Sequence, residues 1–575
     1  MHQALKFFCG LIVAVSSANI CIGQSTTTAP NSQTSVRFVD TDGQPVSPET
    51  ALFFDGVLAE TIAVEKGVGV APGQKGIVVA TTDGFQFTGC ILSGSEAKIV
   101  FRRDDEPCEL LTQTAYPLND EIKTKIIDRI KETLWENVKD QPAKSMETLQ
   151  TVRVLAAVDP LGTLQWLDAN NLPVQTAGIV LQPALNALLS TDPEEAFDRC
   201  SQVKDPIMQS ALLMYFLSAL DPDAPALKAV EAQILEVTRG IKQPAVRLGM
   251  RSVLAEHFLF TEQRELADKI VQQHIEDVKQ LPVDGWTAFV RSNYAALVVE
   301  NDPELAQELI EGPLDGRESY RAHSRVAFSC CRTNPELAMK LLSLVELPEE
   351  TIVSAVENPI KMCHRMAVEQ TEAARKLAAT IDELNARAWA LGLMAMELNE
   401  PNPQLAKQLF AEATELLSQP EARDRLLYPV SETLAGLLPI AQEVDPTKVR
   451  PIIWQAVLET LVSNSGNDIN RKVRIQSVAG AIARYDLELG RALIGDSEIV
   501  LGYFTSELET HQALLKPSGL LELTAKICAL DPVENNYTFD RLTDLVTQSE
   551  SEFWKSVSRP SSLAWPIQKF EEMPR

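Results

Sequence analysis

The chain has 575 residues, 45% of them hydrophobic and 23% charged, with 52 Lys and Arg against 79 Asp and Glu for a formal net charge of −27. That length exceeds a single compact core, and the apolar content rules out a largely disordered chain. So negative a field repels phosphate backbones and polybasic-type membrane contact, leaving no nucleic acid among the expected partners.

The first elements are read as a leader. Lys6, the apolar run Phe7 to Val15 and the small or polar residues ending at Gly23-Gln24 have the order of a secretory signal peptide, because the run is too short to span a bilayer. Residues 1–23 are therefore expected to be removed and the chain exported to a periplasmic, cell-envelope or extracellular place. Cleavage there takes Lys6 and no acid, leaving 51 basic against 79 acidic residues, a charge of −28. Diacylation at Cys21 is not expected, since Ile20 replaces the small residue that should precede it. No transmembrane segment is expected after cleavage: the longest remaining apolar run, Ala211 to Leu220, is half a span and reads as a buried helix.

After a linker over 24–33, residues 34–112 are predicted to form a small all-β sandwich domain. Ser35–Asp40, Ala51–Phe54, Gly76–Ala80, Phe85–Phe87 and Ala97–Phe101 are β-branched or aromatic runs separated by Asp-Gly and Pro-Gly turns. Asp40-Thr-Asp42-Gly43 lacks the further ligands and closing Glu of an EF-hand loop and reads as a hairpin turn. Gly67 to Gly73 has one residue too many for a dinucleotide fingerprint and reads as a loop. Cys90 and Cys108 share this segment, and a disulfide between them would contribute about 3 kcal/mol by chain entropy. The phrase Val39-Asp-Thr-Asp-Gly-Gln-Pro-Val46 resembles the first hairpin of carboxypeptidase-regulatory-like domains, a resemblance that implies a prealbumin-like sandwich with a structural or adhesive role and no active site.

From Asn119 the period changes to that of helix, with Ile122, Ile126, Ile127, Ile130 and Leu134 on one face. Residues 113–551 are predicted as an α-solenoid of stacked helix pairs, so the fold class is mainly α. Asp-Pro or Asn-Pro marks helix starts at 159/160, 192/193, 205/206, 221/222, 302/303, 334/335, 402/403, 445/446 and 531/532. Asp or Asn caps a free N–H, and Pro loses nothing at the first helical position. The phrase recurs: Pro303 to Pro335 is 32 residues, Pro335 to Thr371 is 36, Thr371 to Pro403 is 32, and Pro193 to Pro225 is 32. Spacing then widens to 43, 41 and 45 across Pro446, Leu487 and Pro532. Ala- and Arg-rich helices precede these starts, at Tyr320–Phe328, Asn385–Met394 and Arg471–Ile482. The periods resemble tetratricopeptide and HEAT-like repeats, which implies about twelve helix pairs presenting a surface to a peptide or protein. Residues 552–575, with Trp554 and Trp565, read as a C-terminal cap or tail.

No nucleophile elbow, metalloprotease helix, phosphate-binding loop or paired C-x-x-C is present. Seven cysteines remain after signal removal, including Cys200 and Cys528; being odd in number, they leave at least one thiol unpaired. His323, Cys330 and Cys331, with Cys363-His364 in the next repeat, are residue types that bind zinc. Adjacent helical positions diverge by about 100°, so packing as buried thiols is the expectation, and no cofactor or metal is expected. The same divergence separates Cys363 from His364 as a nucleophile and base, and no orienting carboxylate is evident. Asn536-Tyr-Thr538 matches a glycosylation acceptor, a pattern short enough to arise by chance.

The sequence thus predicts a non-catalytic exported scaffold that binds a protein or peptide partner through its helical repeats. Two other classes stay open: a hydrolase or lyase acting on polysaccharide, with helix pairs curled into an α/α toroid, and a self-associating structural envelope protein. Acidic residues are too numerous to choose a glycosidase pair.

Overall fold

A computed structural model describes residues 33–494, apart from internal stretches that include 56–58, 112–127, 221–224, 346–351, 423–428 and 463–474. The leader at 1–23, most of the linker, Ile122, Ile126, Ile127, Ile130, Cys528, Asn536 and the 552–575 segment lie outside the described residues. These residues are mainly helical and begin with a small β domain of two sheets.

Eight strands form that domain: β1 Thr34–Asp40, β2 Thr50–Phe54, β3 Ala59–Thr61, β4 Val64–Glu65, β5 Val68–Ala71, β6 Lys75–Thr81, β7 Thr88–Ser93 and β8 Glu96–Phe101. One sheet has the order β4-β5-β1-β8 and the other β3-β2-β6-β7. All pairings are antiparallel except β1 with β8. Period-two alternation sends Val36, Phe38, Ile99 and Phe101 inward from one sheet to meet Phe53, Val78 and Ala80 from the other. The first hairpin turns at Gly43, whose φ of 81° suits glycine, while the Gln44 N–H donates to Asp40 Oδ1 at 2.7 Å.

Two local readings change. Phe85–Phe87 is not a strand: the Gln86 side chain turns inward and donates to the Arg103 carbonyl at 3.0 Å and the Glu106 carbonyl at 2.5 Å, holding the loop after β8, and the ladder resumes at Thr88. The Gly67–Gly73 stretch is not all loop. Lys66 and Gly67 turn in the left-handed region, and Val68–Ala71 is strand β5.

The helices fall into two compact units. Between Leu118 and Asn358 lie α1 Met146–Val158, α2 Pro160–Asn170, α3 Val174–Leu189, α4 Pro193–Ser201, α5 Pro206–Ala219, α6 Pro225–Arg239, α7 Pro244–Phe260, α8 Arg264–Lys279, α9 Gly285–Val298, α10 Pro303–Ile310, α11 Gly316–Cys330 and α12 Pro335–Ser343. Helix α13, Ile352–Met366, straddles the boundary. The other unit joins the β domain to α14 Thr371–Ala379, α15 Leu384–Leu398, α16 Pro403–Ser418, α17 Val430–Val444, α18 Val449–Val462 and α19 Leu487–Ile494. No helix among the described residues is long and apolar enough to cross a membrane.

The recurring phrase is a joint between two helices. At Asp302 the backbone N–H donates to the Val298 carbonyl at 2.8 Å, finishing α9, while Oδ1 accepts from the Leu305 N–H at 2.9 Å, starting α10. Asn334 repeats both bonds at 2.7 and 3.1 Å, Asn402 at 2.8 and 3.3 Å, and Asp192 at 2.6 and 3.1 Å. All four caps have φ between −142° and −151° with ψ between 74° and 81°. One short polar residue thus satisfies orphan groups at two helix ends at once. Beyond the joint Ala306, Leu309 and Ile310 of α10 are buried, the spacing of a helix with one apolar face.

Within the unit from Leu118 to Asn358, each first helix packs on its own second helix and on the first helix of the next pair, in the succession α1, α3, α5, α7, α9, α11. The wider spacing after Pro403 comes from the second helix, since α16 has 16 residues whereas α10 has 8 and α12 has 9. A pair the Pro signature skipped is α7 and α8, because α8 opens at Arg264 with no proline.

Candidate functional site

The thiols and imidazoles singled out by sequence are absorbed locally. Cys330 and Cys331 are fully buried at the end of α11, where their thiols donate to carbonyls one turn back, Ala327 at 3.7 Å and Phe328 at 3.2 Å. Burial pushes the Cys330 thiol up to about 12. His323 Nδ1 lies 2.8 Å from the Ser319 carbonyl of the same helix. Cys363 donates to the Ala374 carbonyl at 3.4 Å, whereas His364 Nε2 lies 2.8 Å from Glu397 Oε1 on α15. His364 therefore has an orienting carboxylate after all. It was invisible in sequence because a whole helix, α14, separates the pair, and the imidazole points to Glu397 while the neighbouring thiol points to α14.

No disulfide joins Cys90 and Cys108 in this structure. Cys90 packs against the sandwich core, which pushes its thiol up to about 11, and the Cys108 thiol donates to Gln86 Oε1 at 2.6 Å.

What the fold does assemble is a surface across three successive first helices. Phe289 on α9 is 39% exposed, its ring 5.0 Å from that of Trp286 one turn earlier. The Arg325 guanidinium of α11 stands 5.3 Å from the Phe289 ring centroid and donates to Glu256 Oε2 of α7 at 2.8 Å. Gly249 of α7 admits the indole, since a Cβ there would meet Trp286 Cζ2 at 3.0 Å. The signal for this group was Trp286-x-x-Phe289 at helical spacing, but nothing in sequence indicated that Arg325 would reach it.

Under that surface lies a polar layer. Asn293 donates to Ser252 Oγ at 2.9 Å, and Tyr294 is fully buried with its hydroxyl unpartnered among the described residues. Arg251 Nη1 contacts His274 Nε2. A guanidinium can only donate, so Nε2 accepts and the imidazole proton sits on Nδ1, 3.9 Å from Asp277 Oδ2. Burial first, and the Arg251 cation second, hold the His274 imidazole below its ordinary value. On α7 the ring of His257 meets Glu231 Oε1 of α6 at 3.0 Å, and Gln263 donates to the same oxygen at 3.2 Å. Among the described residues no group of three or more His, Cys, Asp or Glu side chains is placed to hold a metal ion.

No family model matches the chain, and no curated protein matches it. Among solved structures, the crystal structure of Ton1535 from Thermococcus onnurineus NA1 is similar over 58% of this chain and 99% of that one, with 13% identity and a TM-score of 0.28. A likeness of that size carries no argument about fold or activity.

Proposed function

We propose that the protein is a non-catalytic exported scaffold whose helix pairs stack as a solenoid and hold a protein or peptide partner on the first-helix face. The observation that supports this is the row Glu256, Trp286, Phe289 and Arg325, contributed by three successive pairs. Aromatic side chains and arginine are the residues that anchor interfaces, because they bring large area and directional contacts at low entropic cost. The serial packing of first helices and the repeated capped joints support the solenoid, and the residues before Gly23 support export. In this reading the β domain anchors or spaces the helices within the cell envelope.

The test is a photoreactive side chain at position 289 in intact cells, with mass spectrometry of the adducts. One dominant foreign protein, lost when W286A and R325A are added, supports the scaffold. Adducts with this chain alone favour the self-associating reading, and adducts with no protein at all turn attention to polysaccharide; either result overturns the proposal.

A further inference from the structure

The outer face of the β4-β5-β1-β8 sheet places like charges side by side. The β1–β8 register sets Arg37 directly opposite Lys98, and both side chains are exposed. Neither they nor Arg102 carry an ion pair among the described residues. Cations directly opposite on one sheet face repel, so the arrangement weakens the free domain unless something negative meets it. Apolar residues flank them: Val68 and Val70 on β5 are 44% and 50% exposed, and Val100 on β8 is 38% exposed. Of the acids, Glu96 sits at the Ser35 register and Glu65 beside Val68, at the margins of this row.

The row continues into a cavity. Alternation along β8 turns Lys98 and Val100 to the same side, and Val100 and Arg102 then line a cavity of about 170 Å³ with Thr88, Cys108, Arg450 and Trp454. Arg450 and Trp454 come from α18, which packs across β6 and β7 in the same compact unit. Two guanidinium groups therefore stand at the end of a sheet face already carrying two cations, in a chain of net charge −27.

We propose that this sheet face and cavity bind an acidic polypeptide segment, with one carboxylate entering the cavity at Arg102, apolar side chains resting on Val68, Val70 and Val100, and a further carboxylate spanning Arg37 and Lys98. The occupant is a short acidic segment and not an extended polyanion for two reasons. Valines separate the cations, which suits a chain alternating acidic and apolar residues. A long polyanion would also feel the repulsive field of the whole molecule, whereas a short segment answers to charges within about 8 Å at physiological salt. This surface belongs to the β domain and goes beyond the first-helix reading.

The test uses the full chain, immobilised, with two pools of short synthetic peptides: one alternating Asp or Glu with Val, Leu or Ile, the other its Asn and Gln counterpart. Wild type should retain the acidic pool about tenfold better, K98Q/R102Q should remove that preference, and V68S/V70S should weaken retention with the charge preference intact. W286A should change nothing, which separates this result from failure of the first-helix reading. Equal retention of the two pools, or a preference that survives K98Q/R102Q, overturns the proposal. So does binding of phosphatidylglycerol vesicles that K98Q/R102Q abolishes in the absence of any peptide preference, since that assigns the face to a lipid surface.

Discussion

Arg387 reaches back six residues and grips the Ile381 carbonyl with both Nε, at 2.9 Å, and Nη2, at 2.6 Å. Arg247 makes the equivalent contact to Ile241 at 3.0 Å in the other compact unit. Each arginine sits at the fourth position of a first helix and ties it to the residue that leaves the preceding second helix. Arg387→Ala should destabilise by about 1.5–3 kcal/mol, and Arg387→Lys should recover only part of that because an ammonium cannot donate as a planar fork. Urea denaturation of the two variants checks the order.

Gly89 on β7 has no room for a Cβ, which would lie 2.4 Å from the Val78 carbonyl and 2.6 Å from the ring of Trp454. Gly89→Ala should therefore cost about 1–3 kcal/mol by overpacking. Adding Trp454→Leu relieves the clash with the ring and should make the double variant more stable than additivity predicts. A double-mutant cycle by thermal unfolding gives the coupling.

At the capped joints Asn334→Ala should cost about 0.5–2 kcal/mol. The amide of Leu337, which now donates to Asn334, should exchange with solvent faster, while the amides of α1 stay protected. Hydrogen exchange resolves this better than a global transition, because units that unfold separately do not share one equilibrium.

The imidazole of His274 has its folded value held below the ordinary 6.5, by burial first and by Arg251 second. Above that pH both the native and the unfolded chain keep it neutral. As pH falls through 6.5 the unfolded chain takes the proton first, so stability drops on the acid side until the folded value is passed. His274→Gln, which keeps an acceptor for Arg251, should flatten that limb as pH falls below 6.5. Stability curves of variant and wild type over this range test it.

Among the thiols of the native protein, Cys108 should alkylate before Cys90, Cys200 and Cys330, which burial pushes up to about 11, 12 and 12. Peptide mapping after timed exposure to iodoacetamide, with and without prior reduction, gives the order and reports whether Cys90 and Cys108 ever pair.

Much of the fold was legible where one residue determines local geometry. Asp or Asn before Pro fixed the helix starts at 160, 193, 206, 303, 335 and 403, because both capping and proline act within a single turn. Strands rich in Val, Ile and Phe were readable for the same reason. Strand β5 was not, since Gly69 there is required by the approach of Ile62 and Phe38, which sequence does not reveal. The candidate surface was least legible. Trp286 and Phe289 are neighbours along one helix, but Glu256 and Arg325 join them only once three pairs have packed. Likewise, Arg37 and Lys98 become adjacent only through the parallel β1–β8 pairing, which joins strands separated by most of the domain.

The contact of Gly89 with Trp454 joins segments hundreds of residues apart. During synthesis the β domain is complete long before α18 exists, and at ordinary translation rates the outer side of β6 and β7 stays bare for roughly tens of seconds. Any chain that ends before Val449 keeps that side bare permanently, so a fragment carrying only the β strands differs from the same domain in the whole protein by an exposed seam where Trp454 belongs.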